Sequence, residues 1–278
     1  MKIAITGAHG YIGSALCSHF GEDQAVRLAR SEEGGTGGEY RHFELGAACP
    51  KGLLAGIDVL IHAAHDFTPV RGSSHSARTV NIRGTLGLYE NAALHGVKKI
   101  IFISSMAAFK GCRSEYGRIK WELEQATLAR GGIAVRPGTV WSDASGGVMG
   151  TLERIVDSLP MVPVFGPSNV GLYLIHLDDL VAIIERLITH EQSEIVLAAA
   201  PRPYTLRQIL AELAKRRSLH RCFIPFPPSL LYWPLRLAEL MRVRGLPRSD
   251  SIRSFLNPNP LPDWSALHRL GVAVRSFT

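Results

Sequence analysis

The stretch that decides the fold is Thr6-Gly7-Ala8-His9-Gly10-Tyr11-Ile12-Gly13. It follows an apolar strand predicted over Lys2–Thr6 and opens a helix predicted near Tyr11–Phe20. Gly7 permits a tight turn, Gly10 lets the backbone approach a pyrophosphate, and Gly13 lets helix and strand pack closely. The free N–H groups at the start of the helix then face the negative charge. The stretch therefore predicts a dinucleotide-binding turn rather than an ordinary glycine-rich loop.

Strands and helices alternate along the first 136 residues. Further strands are predicted at Ala25–Ala29, Arg41–Leu45, Asp58–Ala63, Ile100–Ser104 and Ile133–Arg136, with helices over 76–95 and 114–130. Nearly continuous apolar strands between helices are typical of a parallel sheet that is covered on both faces. The expected fold class is therefore α/β, with a doubly wound parallel sheet.

Regularity falls after Pro137, where prolines and glycines interrupt residues 137–171. Beyond them the pattern predicts a helix from Asp178 or Asp179 to about Thr189, a strand at Glu194–Ala198, a helix at Thr205–Arg216, and then helix broken by proline, with loops. An aspartate of the pair 178–179 is expected to cap its helix. The apolar stretch 223–241 contains four prolines, so it is a poor candidate for a membrane span.

Charge is distributed unevenly along the chain, whose formal net charge is +7. Residues 201–278 hold 13 Lys and Arg against 4 Asp and Glu, whereas residues 1–200 hold 18 against 20. This asymmetry fits attraction of an anionic substrate, such as a nucleotide diphosphate or a coenzyme A ester, and it fits equally well a composition rich in arginine. Nucleic-acid binding is disfavoured because the arginines are dispersed and no recognised motif accompanies them.

The four cysteines are neither in CxxC pairs nor at the spacing of zinc ligands. They are interpreted as reduced thiols, and the sequence predicts no metal site. No signal peptide is expected at Met1-Lys2, which leads directly into the first strand. The expected location is the cytoplasm, with no membrane partner.

A tyrosine and a lysine lie one helical turn apart in Tyr116-Gly117-Arg118-Ile119-Lys120. This spacing places both side chains on one face of a helix. A free tyrosine has a pKa near 10 and is a poor base at neutral pH, whereas a fixed cation beside it favours the phenolate. The pair therefore predicts a general acid or base. A serine at the end of the preceding strand, within Phe102-Ile103-Ser104-Ser105-Met106, brings a hydroxyl to the same crevice.

The glycine spacing and the motif Gly10-Tyr11-Ile12-Gly13 resemble those of the extended branch of the short-chain dehydrogenase/reductase superfamily. This branch is the NAD-dependent epimerase/dehydratase family. That resemblance implies a Rossmann NAD(P)-binding domain over 1–140, with core strands added from about 172–200. A smaller C-terminal substrate-binding lobe would comprise 141–171 and 201–278. The Ser-Ser motif of the family implies that Ser105, the second of the two serines, is the third catalytic residue beside Tyr116 and Lys120.

The resemblance also implies a set of residues that bind the cofactor. They are Gly7, Gly10, Tyr11, Ile12, Gly13, Arg30, Glu44, Leu45, Ala63, Ala64, Asn81, Tyr116, Lys120 and Pro137. Glu44 would meet the adenine amine, the pair 63–64 would lie under the cofactor, and Asn81 and Pro137 would lie near the nicotinamide. For Asn81 the alternative is an amide on the helix surface.

Arg30 bears on the choice between the two dinucleotides. In family members that prefer NAD, an acidic residue ends the second strand and binds the ribose hydroxyls, whereas here the strand is followed by Arg30. A guanidinium suits a 2′-phosphate. NADP is therefore favoured, and NAD stays open because Glu32 and Glu33 follow closely.

These patterns predict an NAD(P)-dependent oxidoreductase that transfers a hydride to or from a carbinol or carbonyl carbon of a small molecule. One alternative is a nucleotide-sugar epimerase, although that group usually carries an asparagine where Gly138-Thr139 stand. Another is a dinucleotide-binding structural or sensor protein without catalysis. The oligomeric state stays open, and a homodimer through the helices 76–95 and 114–130, as in many relatives, is one option.

Overall fold

The computed structural model describes residues 1–32, 38–67, 76–165, 170–227, 230, 235 and 249–278. In chain order its strands are β1 Ile3–Thr6, β2 Ala25–Ala29, β3 Glu39–His42, β4 Val59–His62, β5 Lys99–Ile103, β6 Ile133–Pro137, β7 Thr139–Trp141, β8 Met161–Phe165, β9 Gly171–His176, β10 Ile195–Ala198, β11 Pro203–Thr205 and β12 Cys222–Phe226. The largest sheet has seven strands in the order β10-β6-β5-β4-β1-β2-β3, and every neighbouring pair is parallel. The predicted α/β fold with a parallel sheet is confirmed.

Helices cover both faces of this sheet. They are α1 Tyr11–Gln24, α2 Ala77–Leu94, α3 Glu115–Leu128, α4 Gly147–Ser158, α5 Leu177–Ile188, α6 Leu206–Arg216, α7 Ser249–Leu256 and α8 Ser265–Leu270. Because successive strand residues face opposite sides, Ile3 of β1 packs with Leu16 of α1 and Leu180 of α5, whereas Ala4 packs with Leu88 of α2. In the described part of the chain, no helix combines the length and the apolar character that a membrane crossing needs.

The third strand differs from the prediction. It was expected over Arg41–Leu45, but the structure places it at Glu39–His42. As the edge strand it carries polar residues, and the Arg41 guanidinium donates hydrogen bonds to Glu39 and to backbone carbonyls of the loop near Leu53. Phe43, which lies in the predicted range, instead anchors the loop after the strand in the core beside α2. The apolar Phe43 thus lies just after the end of the strand and not within it.

The region after Pro137 is more regular than predicted. Strands β7, β9 and β11 form one small sheet, in the order β11-β9-β7, and β8 pairs with β12 in another. Helix α4 packs its apolar face, including Met149 and Val156, against α6 in a separate apolar cluster with Trp141. Of the stretch 223–241, residues 223–226 belong to β12, and most of the remainder lies outside the described residues, as do 33–37 of the glycine-rich loop.

The cap of α5 corrects a second expectation. His176, and not an aspartate, is the N-cap residue, and its Nδ1 accepts a hydrogen bond from the backbone N–H of Asp178 at 3.2 Å. Asp179 is turned instead toward the C-terminal segment, where its carboxylate accepts bonds from the backbone N–H and from Nε of Arg275, both at 2.7 Å. The aspartate therefore ties the C-terminal segment to α5.

Buried polar contacts join β1, β4 and α2 below the glycine turn. The Thr6 hydroxyl accepts hydrogen bonds from the N–H groups of Ala63 and Ala64, both at 3.0 Å, so its proton is left for Nδ1 of His62 at 2.7 Å. Nε2 of His62 then carries the ring proton and donates to the Thr85 hydroxyl at 2.8 Å. Burial, with a smaller contribution from the charge of Lys120, lowers the pKa of His62 to about 3. The ring is therefore neutral in the folded protein.

The buried His62 predicts an acid-sensitive fold. The unfolded chain takes up a proton near pH 6.5, whereas the folded chain does so only near pH 3. The contribution to stability is therefore complete above pH 6.5 and is lost as the pH falls, by up to about 1.4 kcal/mol per pH unit. We expect urea unfolding to show a loss of about 2 kcal/mol between pH 6.5 and 5 from this group. The variant His62→Gln should have a flatter acid slope, while the exposed control His268→Gln should keep the wild-type slope. An unchanged slope in His62→Gln would contradict the assignment.

Candidate active site

The glycine turn after β1 packs so closely on its neighbours that positions 7 and 13 leave no room for a side chain. Gly7 has a positive φ of 67°, and its carbonyl accepts a hydrogen bond from the N–H of Gly10 at 2.8 Å. A Cβ at position 13 would lie under 3.0 Å from that same carbonyl oxygen, which no real side chain tolerates. A Cβ at position 7 would meet the backbone N of Ala64 at 3.0 Å. The turn, the start of α1 and the end of β4 therefore pack backbone against backbone.

The first turn of α1 offers its N–H groups to an anion. Gly10 is the N-cap residue and provides no side-chain hydrogen bond, and the first turn contains no acidic residue. The N–H groups at a helix start, here those of Tyr11, Ile12 and Gly13, have no partner within their own helix, and the helix dipole adds positive potential. These N–H donors and the positive helix end fit a pyrophosphate.

Three further residues expected at the cofactor follow β2 and β3. Arg30 comes directly after β2 and is exposed, and no hydrogen bond or ion pair joins it to another described residue. Glu44 is exposed and Leu45 is half-buried in the loop after β3. Helix α2 packs closely on this loop because position 84 is glycine, where a Cβ would lie 2.8 Å from the Leu45 side chain.

Asn81 holds the loop that follows β4. It is only 1% exposed, so the alternative of an amide on the helix surface is wrong. Its Oδ1 accepts a bond from the Asp66 N–H at 2.9 Å, and its Nδ2 donates to the carbonyls of Asp66 and Ala77 at 2.8 and 2.7 Å. The Asn81 side chain thus fixes the loop after β4, which begins at Ala64 and lies beside the Tyr116 ring in space.

Ser105, Tyr116 and Lys120 are brought together at the carboxyl end of β5. The Ser105 hydroxyl lies close enough to the Tyr116 hydroxyl to act on its pKa. Lys120 is 3% exposed, and its Nζ lies 5.9 Å from the centre of the Tyr116 ring while donating to the carbonyl of Ile103 at 2.7 Å. Ser104 is buried on the other side and donates to Glu124 at 2.6 Å. Of the two serines, Ser105 is the one that faces the tyrosine.

The pKa of Tyr116 moves in the direction opposite to the prediction. Burial raises the pKa of Tyr116 to about 12, and the hydrogen bond from Ser105 opposes that rise only in part. Burial also lowers the pKa of Lys120 to about 7, against the nearby charge of Glu124. The ammonium is directed at the Ile103 carbonyl rather than at the phenol. The chain's own groups therefore keep the phenol protonated at neutral pH.

A buried carboxylate one turn after Lys120 was not predicted. The Glu124 side chain is fully buried, and it accepts hydrogen bonds from Nε and Nη2 of Arg136 at 2.7 and 2.6 Å. Arg136 precedes Pro137, and the Pro137 carbonyl accepts a bond from the Met106 N–H at 3.3 Å, beside Ser105. A carboxylate on the buried face of α3 is the one signal in the sequence that could have revealed this pair.

Two aromatic rings that the sequence did not single out surround Tyr116. The His65 ring meets the Tyr116 ring edge-on at 4.9 Å, and the Phe67 ring stacks on it at 5.5 Å. Both rings belong to the loop that Asn81 fixes. Phe67 is 52% exposed, so the crevice has an apolar side that is open to solvent.

Tyr11 links the glycine turn to the segment after β7. Its hydroxyl shares a hydrogen bond of 2.7 Å with that of Ser142, and its ring packs against Gly146, where any Cβ would collide with it. Among the described residues, no cluster of three or more His, Cys, Asp or Glu side chains is arranged to hold a metal ion.

Solved structures with the same fold include several that carry a dinucleotide. The chain matches gox2253 with a TM-score of 0.73 at 20% identity, covering 99% of this chain and 93% of that one. It matches MoeE5, in complex with UDP-glucuronic acid and NAD, with a TM-score of 0.67 at 20% identity, covering 82% and 86%. It matches the UDP-glucose 4-epimerase of Thermus thermophilus, in complex with NAD, with a TM-score of 0.65 at 20% identity, covering 92% and 98%. At these identities the likeness shows the fold.

Among curated proteins the chain is similar to the uncharacterised protein y4nG of Sinorhizobium fredii (strain NBRC 101917 / NGR234). The two are 26% identical over 200 residues, which are 63% of this chain. The chain spans about half the length of this relative, since the match covers 50% of it.

The family model that describes the NAD-dependent epimerase/dehydratase family matches residues 3–199. This range contains the glycine turn, the Ser105–Tyr116–Lys120 group and the whole of the seven-stranded sheet. The chain belongs to the NAD-dependent epimerase/dehydratase family.

Proposed function

We propose that the chain is an NAD(P)-dependent oxidoreductase of the extended short-chain dehydrogenase type. The observation that carries the proposal is the grouping of Ser105, Tyr116 and Lys120 at the carboxyl end of β5. Ligands bind outside the carboxyl ends of the strands in open α/β sheets, and the glycine turn after β1 opens at the same edge. A dinucleotide on the turn and a substrate beside Tyr116 therefore share one crevice.

The residues of the cradle divide into three groups in this proposal. Gly7, Gly10, Tyr11, Ile12 and Gly13 hold the pyrophosphate through backbone N–H groups; Arg30, Glu44 and Leu45 hold the adenosine part; and Ala63, Ala64, Asn81 and Pro137 border the nicotinamide part. When bound, the nicotinamide supplies or accepts the hydride. The proposed dinucleotide domain is 1–140 with strands from 172–200, and residues 141–171 and 201–278 select the substrate.

The side chains handle the proton. Because its pKa is raised, the Tyr116 hydroxyl is protonated at neutral pH and is ready to donate to a substrate carbonyl oxygen. Ser105 lies beside that hydroxyl and orients the same oxygen. Lys120 lies with its Nζ 5.9 Å from the centre of the Tyr116 ring and, in its protonated form, favours the phenolate that remains. In the reverse direction the phenolate takes the proton from a carbinol.

Nucleotide-sugar epimerisation is the second candidate, because the titles of several structural neighbours name such substrates. The geometry at Gly138 disfavours it. A Cβ at this position would lie under 3.0 Å from the carbonyl oxygen of Tyr173, so the position admits no asparagine. A role in binding without catalysis is disfavoured because Tyr116 and Lys120 are both present and lie together.

The choice of NADP rests on Arg30, whose exposed guanidinium next to β2 suits a 2′-phosphate. The proposal further includes a small-molecule substrate with an anionic group, a location in the cytoplasm and no nucleic-acid partner. A homodimer through α2 and α3 is also proposed.

Removal of the Tyr116 hydroxyl tests the chemistry. In a screen of carbonyl compounds with NADPH and NADH, Tyr116→Phe should lose about 10²- to 10⁴-fold in turnover, because it can donate no proton. Dinucleotide affinity should fall far less than turnover, because the glycine turn that holds the pyrophosphate is unchanged. Tyr89→Phe is the matched control, since it removes a buried hydroxyl bonded to Thr127 between α2 and α3. Full turnover by Tyr116→Phe would contradict the proposed mechanism.

Charge reversal at Arg30 tests the cofactor. Titration followed by nicotinamide fluorescence should show tighter binding of NADPH than of NADH, and Arg30→Asp should reverse the order, with at least about a 10-fold loss for NADPH because a charge-assisted hydrogen bond is removed. Arg186→Asp, an exposed arginine at the end of α5, should leave both affinities unchanged. Equal affinities in the wild type would contradict the preference for NADP, and binding of neither dinucleotide would contradict the enzyme proposal.

A further inference from the structure

The helix that carries Tyr116 and Lys120 is capped from a distant part of the chain. Within the local sequence, Ser114 is the N-cap residue of α3, and its hydroxyl accepts the N–H of Gly117 at 3.0 Å. The two N–H groups before that one are bound by Asp250 of α7. Its Oδ1 accepts from Glu115 and its Oδ2 accepts from Tyr116, both at 3.0 Å. One carboxylate thus holds the backbone of the proposed catalytic tyrosine.

This contact limits where the Tyr116 hydroxyl can lie. Tyr116 is the second residue of α3, so its N–H group moves with the first turn of the helix. That turn also packs tightly on the segment after β5, because a Cβ at Gly117 would lie under 3.0 Å from the carbonyl oxygen of Ala107. The N–H of Ala107 in turn donates to the Ser105 hydroxyl at 3.2 Å. A shift of the helix start would therefore change the alignment of Tyr116 with Ser105.

The carboxylate is also placed favourably for its charge. The start of α3 carries the positive end of the helix dipole, and Asp250 lies in the first turn of its own helix α7 as well. Both of its oxygens bind N–H groups at the start of α3, in the family-matched region, whereas Asp250 itself belongs to the C-terminal segment beyond residue 199. Local sequence could not supply this bond, because the partners are 134 residues apart.

We propose that Asp250 is a positioning residue for Tyr116, through which the C-terminal segment sets the geometry of proton transfer. The inference rests on the proposed function of Tyr116. Asp250 acts through the backbone of the tyrosine and touches neither the glycine turn nor Ser105 among the contacts described. A displacement of about 1 Å in a reacting group can cost on the order of 100-fold in rate. The bond therefore affects turnover much more than dinucleotide affinity.

The test compares Asp250→Ala and Asp250→Asn in single-turnover reduction with saturating dinucleotide. We expect about a 100-fold loss of rate for Asp250→Ala, as for a misplaced reacting group. Asp250→Asn keeps one acceptor oxygen and should lose about 10-fold, as expected when one of two bonds to a charged group is lost. Dinucleotide affinity should be within about twofold of wild type in both variants, because Asp250 does not contact the glycine turn.

The matched control is Asp263→Ala, which removes a similar aspartate from the C-terminal segment. Asp263 accepts the N–H of Ser265 at 2.9 Å at the start of α8, and within the described part of the chain it makes no hydrogen bond or ion pair with α3. It should lower the melting temperature without changing the rate. A loss of rate in Asp263→Ala equal to that of Asp250→Ala would show a general effect of the C-terminal segment and would overturn the proposal.

A double variant separates positioning from simple stability. If Asp250 acts through Tyr116, then Asp250→Ala should cause almost no further loss of rate in the Tyr116→Phe background. Additive losses, or a wild-type rate in Asp250→Ala, would overturn the role of Asp250 while leaving the proposed function intact. Full activity of Tyr116→Phe would instead contradict the proposed function itself, and the two failures are thus distinguishable.

Discussion

The absence of a side chain at Gly13 is the constraint on which the site depends. A Cβ there would occupy the space of the Gly7 carbonyl oxygen, so α1 can begin at this distance from β1 only with glycine at this position. Gly7 imposes the same condition toward Ala64 at the end of β4. These two close approaches place the uncapped first turn of α1 at the carboxyl edge of the sheet. That edge is also where the loop after β4 and the end of β5 bring their polar groups.

Buried polar contacts then hold the end of β4 and the following loop in place around the crevice. Thr6 and His62 hold the end of β4 under the turn, and Asn81 holds the next loop against Tyr116. Beneath Lys120, the pair formed by Glu124 and Arg136 keeps a charged group satisfied in the interior. Breaking such a buried pair would leave an unpaired charge, which is costly. The proposed catalytic group is therefore supported by buried polar side chains that have hydrogen-bond partners of their own.

The sequence predicts the parallel sheet, the glycine turn and the Tyr116–Lys120 pair because each depends on local spacing. Alternating apolar strands and helices, a glycine every third residue and an i, i+4 pair are all visible in one short window. The predictions fail where distant contacts decide. Phe43 is an anchor of a loop rather than part of a strand, and His176 caps α5 while Asp179 binds the distant Arg275. The hydrogen bond between Asp250 and the Tyr116 backbone matches no sequence spacing, because the two residues are 134 positions apart.

The central claim is that the open first turn of α1 holds a dinucleotide in front of Ser105 and Tyr116. Amide hydrogen exchange, measured residue by residue with and without NADPH or NADH, tests it most directly. We expect slower exchange at the N–H groups of Tyr11, Ile12 and Gly13 and in the segment around Ser105 when a dinucleotide is added. Unchanged exchange at the turn, or protection confined to another part of the chain, would contradict it.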